Sequence, residues 1–478
     1  MTTDEQSVQP VQPVQPPPEQ PSPPPDAPPV RRRHGRIVLV AVAGIVVLLL
    51  VAGLVVALST RDGDSPAPAA DSTAKGASAS SGELEGKDAA IQKVLDRRAE
   101  AVLDRDREAF LADVDPADKA FVSAQEQLFD NLARVDFAGW QYELIGEDYN
   151  RPDLADEYDR PYHLPAILLH YAIKGFDRAE VARPQVLTFL KTGDRWLIAS
   201  DSDADDQLPE TGHADPWDRR PVFVKKGRSV LVIADSEDKA QLGRLVRVGD
   251  AAVRRVAGLW PDGWRRRVVI VAVRDQQLIE TYFRTSARTS ENVAAIAVPA
   301  YDTVPGWTKD DGKHEPLVAR SRIILNPRYF DASDRGNADL LTHEVTHVAT
   351  QSRTFPGAPA WLAEGAAEFT AYRYLQPFTV RLPRELARQV AAGSVDLATY
   401  DFYNRAVNSH YIAGFLACAY INDEYGPATL RKVYRLLGRN VREALIPQAQ
   451  RKVFRRVLDT TPAQLSRDLA DYAQAHAR

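Results

Sequence analysis

The run His343-Glu344-Val345-Thr346-His347, followed seventeen residues after its second histidine by Glu364, constrains this chain more than any other feature. Two histidines four apart on a helix lie about one turn apart on one face, so both imidazoles reach a single ion about 2 Å away. The intervening glutamate faces the same groove. From there it can take a proton from an attacking water, the general-base role in metal-assisted peptide hydrolysis.

The surroundings of the motif predict two helices. Asp334-Arg335-Gly336-Asn337 is a breaker followed by a good N-cap, and Leu341, Val345 and Val348 then recur at helical spacing opposite the histidines. Ser352 to Ala358 contains Pro356-Gly357 and reads as a turn, and Pro359 suits the first position of a second helix. Glu364 falls on that second helix, with Ala367, Glu368 and Ala371 on its face. The small alanines let the helices approach closely enough for one carboxylate to complete a three-ligand set of His343, His347 and Glu364.

His343 to His347, taken with Trp361-Leu362-Ala363-Glu364-Gly365-Ala366-Ala367-Glu368-Phe369, resembles the gluzincin metallopeptidases, the thermolysin-like clan, in their WxxEGxAE form. The resemblance implies one Zn²⁺ per chain held by His343, His347 and Glu364, with Glu344 as catalytic base. It also implies Glu368 as the carboxylate that hydrogen-bonds a ligand histidine and fixes its orientation. Similarity of layout extends over roughly residues 220 to 478. Within it, Val293 to Val298 and Ser321 to Leu325 read as two strands. In thermolysin-like enzymes a strand in the first position is the sheet edge along which substrate backbone pairs; an ordinary core strand is the competing account. Tyr301 to Arg320 reads as a solvated polar loop. Downstream, Ser409-His410-Tyr411 opens an apolar helix, Ile412 to Tyr425. By the same resemblance Tyr411, or less readily His410, donates to the oxyanion formed when water attacks the carbonyl, with core packing as the commoner fate of such an aromatic. Helices over Ala428 to Leu437 and Val441 to Val457 complete a helical lower lobe.

Ile37 to Leu58 is 22 uncharged, almost wholly aliphatic residues, enough to cross a hydrocarbon core as a helix. A cleaved signal peptide is the rival, but the run is long and starts far from Met1. Arg31, Arg32, Arg33 and Arg36 precede it, whereas Asp62 and Asp64 follow, which predicts a cytoplasmic N terminus and an extracytoplasmic remainder. Residues 1–36 then form a proline-rich cytoplasmic tail, 37–58 the transmembrane helix and 59–82 a flexible linker. Residues 83–201 read as a small α+β unit: one helix over Asp88 to Asp113, strands over Ile167 to Ile173, Gln185 to Lys191 and Trp196 to Ala199, and a hairpin turning at Thr192-Gly193-Asp194. That order resembles the NTF2-like cone fold. His163 and His170 are read as surface, and residues 202–220 as a linker to a catalytic domain over 221–478.

The fold class expected is therefore α+β: a single N-terminal transmembrane helix, an NTF2-like domain, and a zincin-type domain with a small sheet and a mostly helical C-terminal lobe. The net charge of -5 leaves no basic footprint for nucleic acid. Cys418 is the single cysteine, so no intramolecular disulfide forms. Arginine exceeds lysine and alanine is abundant, a composition compatible with a high-GC bacterium. The expected function is membrane-anchored, extracytoplasmic zinc peptidase acting on a peptide or protein. A catalytically inactive zincin-fold interaction module is the alternative, and oligomeric state stays open.

Overall fold

Residues 81–149, 151–206, 213–283, 294–304, 318–326, 334–354, 358–375, 377–397, 407–438 and 446–477 are described by the computed structural model. All of them belong to one unit by packing. Helix α1 (Ser81–Asp104) stops short of the single helix expected to Asp113. Arg105 adopts a left-handed φ of 59°, and the Asp106 carboxylate accepts the Ala109 amide at 3.0 Å, starting a separate short helix α2 (Arg107–Leu111). Asp118 caps α3 (Lys119–Leu132) in the same way.

Two three-stranded antiparallel sheets follow. One has the order β1 (Phe137–Asp148), β3 (Pro165–Ile173), β4 (Val181–Val186); the other runs β2 (Tyr162–His163), β5 (Thr188–Thr192), β6 (Arg195–Ser200). The strand expected over Gln185 to Lys191 is thus two strands, divided at the buried Leu187 where the chain passes from one sheet to the other. The expected hairpin is present: Thr192 pairs with Arg195, and Gly193 takes the turn at φ 60°. His163 is a correction, for it is buried, with its Nδ1 3.1 Å from Lys87 Nζ.

The second half is built on a five-stranded sheet of order β10-β11-β9-β8-β7. Its members are β7 (Phe223–Lys226), β8 (Val230–Ala234), β9 (Val268–Ala272), β10 (Ala295–Tyr301) and β11 (Val318–Leu325). β8, β9 and β11 run parallel, while β7 and β10 close the edges antiparallel. Every residue of β8 and β9 is buried, as expected of parallel strands covered on both faces. Successive side chains divide between two cores. Val230, Val232, Val268, Ile270 and Ile323 face the helical side, whereas Leu231, Ile233, Val269, Val271 and Ile324 join a cluster with Leu95, Phe110, Tyr171 and Phe189 from the first half. Residues of the segment expected as a linker enter that interior: Trp217 belongs to the same cluster and Asp215 is buried.

Helices α4 (Lys239–Leu259) and α5 (Gln276–Phe283) connect the strands. The helical lobe comprises α6 (Asp334–Thr354), α7 (Ala360–Tyr372), α8 (Arg384–Ala391), α9 (Val407–Tyr425), α10 (Pro427–Leu437), α11 (Ile446–Val453) and α12 (Pro462–His476). Pro359 caps α7 from the position just before its first helical residue. The helix expected to Val457 ends its α-form at Val453 and continues as a π turn, Phe454–Leu458; residues 439–445 lie outside the described residues.

The expected fold class needs one correction. The architecture is mixed α+β, and among the described residues no helix is long and apolar enough to cross a membrane. The apolar run 37–58, like the tail 1–36 and most of the linker 59–82, lies outside the described residues.

Candidate metal centre

Helix α6 carries three threonines at four-residue spacing, each bonding back one turn: Thr342 to the Ala338 carbonyl at 2.6 Å, Thr346 to Thr342 at 2.8 Å and Thr350 to Thr346 at 2.9 Å. These bonds let a polar stripe be buried, leaving the helix free to pack on several sides. From α4, Arg255 donates to Asp339 at 2.9 Å, and the Tyr374 hydroxyl donates to the same carboxylate at 3.1 Å. At the other end of α6, the Tyr434 hydroxyl of α10 donates to Thr350 at 3.0 Å. The helix bearing both histidines is thus held at both ends.

Helix α7 lies against α6 and α9, and the second crossing is unusually close. A Cβ built on Gly365 would sit 2.3 Å from the Gly414 carbonyl oxygen, and one on Gly414 would sit 2.5 Å from that of Trp361. Only glycines allow the two backbones to meet there. This contact brings Glu364, the neighbour of Gly365, and Tyr411, one turn before Gly414, to the same end of the crossing.

At that end the three expected ligands converge. His343 Nε2 and His347 Nε2 are 3.1 Å apart, and Glu364 Oε2 stands 3.4 Å and 3.5 Å from them. The group is buried and could hold a metal ion. Glu368, one turn further along α7, places Oε1 3.2 Å from His343 Nδ1. With Nδ1–H donating to Glu368, the Nε2 lone pair of His343 faces the other two ligand atoms. Two nitrogens and a carboxylate oxygen suit a divalent cation with nitrogen–oxygen preference.

The electrostatics follow from the crowding of like and unlike groups out of water. Burial opposes the imidazolium form of His343, but Glu364 and Glu368 outweigh it and hold that form well above its usual range. Burial works against the Glu364 carboxylate, and the two histidines overcome it, pulling Glu364 well below the carboxylate range. Glu344 is wholly buried, and burial pushes its carboxyl up against the opposing pull of His343 and His347; a contact to the Ala297 backbone is the least of the influences.

The strand expected over Val293 to Val298 supplies Ala297, and the sheet order places it on the edge strand β10. Of the two candidates at the start of α9, Tyr411 stands beside the site, its ring centroid 6.5 Å from that of His343. Asp339, Arg255 and Tyr374, which fix α6, escaped the sequence reading because Asp339 meets partners 84 positions before it and 35 after it. Gly365 and Gly414 carry the same local signal, a glycine inside a helix, but nothing local pairs one with the other.

No protein-family model matches this chain, and no curated protein matches it.

Proposed function

We propose that this protein is a zinc-dependent peptidase of gluzincin type. The observation that carries the reading is the triangle of His343 Nε2, His347 Nε2 and Glu364 Oε2, with edges of 3.1, 3.4 and 3.5 Å. A tetrahedral zinc with bonds of about 2.0–2.1 Å spaces its ligands by about 3.3 Å. Three protein ligands from two helices, without cysteine, are the donor set of a catalytic rather than a structural zinc. When bound, zinc acidifies water and polarises a peptide carbonyl.

The chain's own residues supply the rest. Glu344 accepts the proton of the attacking water and returns it to the leaving amine, a role suited to a carboxylate whose buried surroundings favour the protonated form. Glu368 holds His343 in the tautomer that presents Nε2. Tyr411 donates to the oxyanion as the carbonyl becomes tetrahedral. Strand β10, terminal in the sheet, pairs with an extended substrate, so main-chain bonds hold the peptide with little demand on its side chains.

Replacing Glu344 with Gln keeps size and removes the base. Metal content, read by mass spectrometry or atomic absorption, should stay at that of the native protein while hydrolysis of a peptide library falls by about 10²- to 10⁴-fold. Equal turnover in native protein and Glu344→Gln would end the peptidase reading and favour a non-catalytic interaction module. Tyr411→Phe should likewise keep the metal while lowering kcat by about 10²-fold.

A further inference from the structure

A cleft of about 260 Å³ opens where the C-terminal part of α6, the end of α4 and α10 meet. Trp260, Thr350 and Tyr434 are buried at its walls, Arg431 is half-buried, and Asp262 and Arg435 are exposed. The buried walls are fixed by their own contacts. The Trp260 indole donates to the Thr370 hydroxyl at 2.9 Å, its ring meets that of Tyr434 edge-on with centroids 5.0 Å apart, and the Tyr434 hydroxyl donates to Thr350 at 3.0 Å. Arg431 is fixed as well, because its Nη1 donates to the Leu259 carbonyl at 3.1 Å, at the end of α4 where helix carbonyls lack partners.

The charge at this cleft is unbalanced. Arg431 and Arg435 lie one turn apart on one face of α10, where like charges repel, and among the described residues neither has a carboxylate within ion-pair distance. Asp262 is the single acid among the described lining residues, so two cations face one anion. The surroundings add to the excess. Helix α10 also carries Lys432 and no acid, and α11 with its π turn, packed against α10, exposes Arg451, Lys452, Arg455 and Arg456, again with no acid. This basic surface stands on a chain whose net charge is -5, and its field draws anions toward the cleft.

We propose that this cleft binds a small phosphate monoester with a ring-sized body, the phosphoryl oxygens accepting from Arg431 and Arg435 and the ring lying against Trp260 and Tyr434. A cavity of about 150 Å³ holds a benzene ring, so 260 Å³ leaves room for a phosphoryl group beside it. A phosphoryl group offers three acceptor oxygens and close to two negative charges at neutral pH, which two guanidiniums match by paired N–H···O bonds and a single carboxylate matches less fully. The site is separate from the metal ligands, and the proposal does not depend on the peptidase reading.

The test uses the full chain, metal-loaded and chelator-treated, so that phosphate held by a metal ion is separated from phosphate held here. Phenyl phosphate, inorganic phosphate, benzoate and phenol are titrated by calorimetry. Phenyl phosphate should bind in both preparations, and the other three at least about tenfold more weakly, since each lacks the ring, the phosphoryl group or both charges. Arg435→Gln, at an exposed position outside the metal centre, should weaken phenyl phosphate about tenfold while leaving melting temperature and metal content unchanged. Lys452→Gln, on the same basic surface but off the cleft, should leave that affinity as it is. Absence of phenyl phosphate binding at millimolar concentration, equal affinity for inorganic phosphate or benzoate, binding confined to the metal-loaded form, unchanged affinity in Arg435→Gln, or an equal loss in Lys452→Gln would each overturn the proposal.

Discussion

His343 stands between two carboxylates, and this sets how the metal centre responds to pH. In the metal-free protein Glu364 and Glu368 hold its proton above the ordinary value of 6.5, so a metal must displace that proton. Apparent metal affinity should therefore fall as pH drops from 8 to 6, by up to about tenfold per unit for one proton displaced. Competition with a chelating dye measures it, and a flat profile would show that His343 carries no proton there. The fold itself responds with the opposite sign. A raised His343 contributes stability present below 6.5 and lost as pH rises through its folded value. The lowered Glu364 contributes stability present above 4.5 and lost as pH falls toward its folded value. Urea midpoints of chelator-treated protein should accordingly decline on both sides of a mildly acidic optimum. Glu368→Gln removes the orienting carboxylate and leaves all three ligands, so metal affinity should drop about 10- to 100-fold.

Among the elements, those with strong local signals were legible and those set by distant partners were not. The helix bearing the two histidines takes in Asp334 to Asn337, expected as breaker and N-cap, and runs on to Thr354 past the expected start of the turn. Even so, that helix, the helix bearing Glu364 and the hairpin at Gly193 follow from period and turn chemistry, which act within a few residues. The break at Arg105 did not, because an apolar pattern that continues through Phe110 hides a cap at Asp106. The split at Leu187 did not either: an alternating run reads as one strand whether or not its two halves pair with different neighbours. The α7–α9 crossing depends on a glycine pair separated by 49 positions, from 365 to 414. Gly365→Ala would drive a Cβ into a backbone carbonyl that cannot rotate away, so the helices must part. A loss of about 1–3 kcal/mol in stability is expected, with weaker metal retention because Glu364 moves with its neighbour. Retention of native melting temperature and native metal affinity would contradict the crossing's role.

At the scale of the whole molecule, the sequence reads as two domains joined by a linker, whereas the packing makes one core common to both. The five-stranded sheet turns Leu231, Ile233, Val269, Val271 and Ile324 toward Leu95, Phe110, Tyr171 and Phe189, so the metal-bearing half buries one face of its sheet against the first half, with Leu278 and Ile279 of α5 joining the same cluster. A buried bidentate ion pair crosses the same region: Arg322 of β11 meets Asp177, which follows β3, with its Nη2 2.6 Å from Oδ2. Asp177 also accepts the Ile173 amide at 2.7 Å. β8 and β9 are apolar at every position, so no alternation in the sequence marks what each face meets. Removing one partner of such a pair leaves a buried charge uncompensated, so Asp177→Ala should cost about 3–5 kcal/mol of stability without altering the ligand set of the metal centre. The larger consequence concerns truncation. Residues 221–478 expressed alone would lose the first half's share of that face's cover and should aggregate or lack a cooperative melting transition, whereas residues 81–478 should unfold in one step. A truncated 221–478 that stayed monomeric and melted at the temperature of the longer chain would show that the sheet does not depend on the first half for its burial.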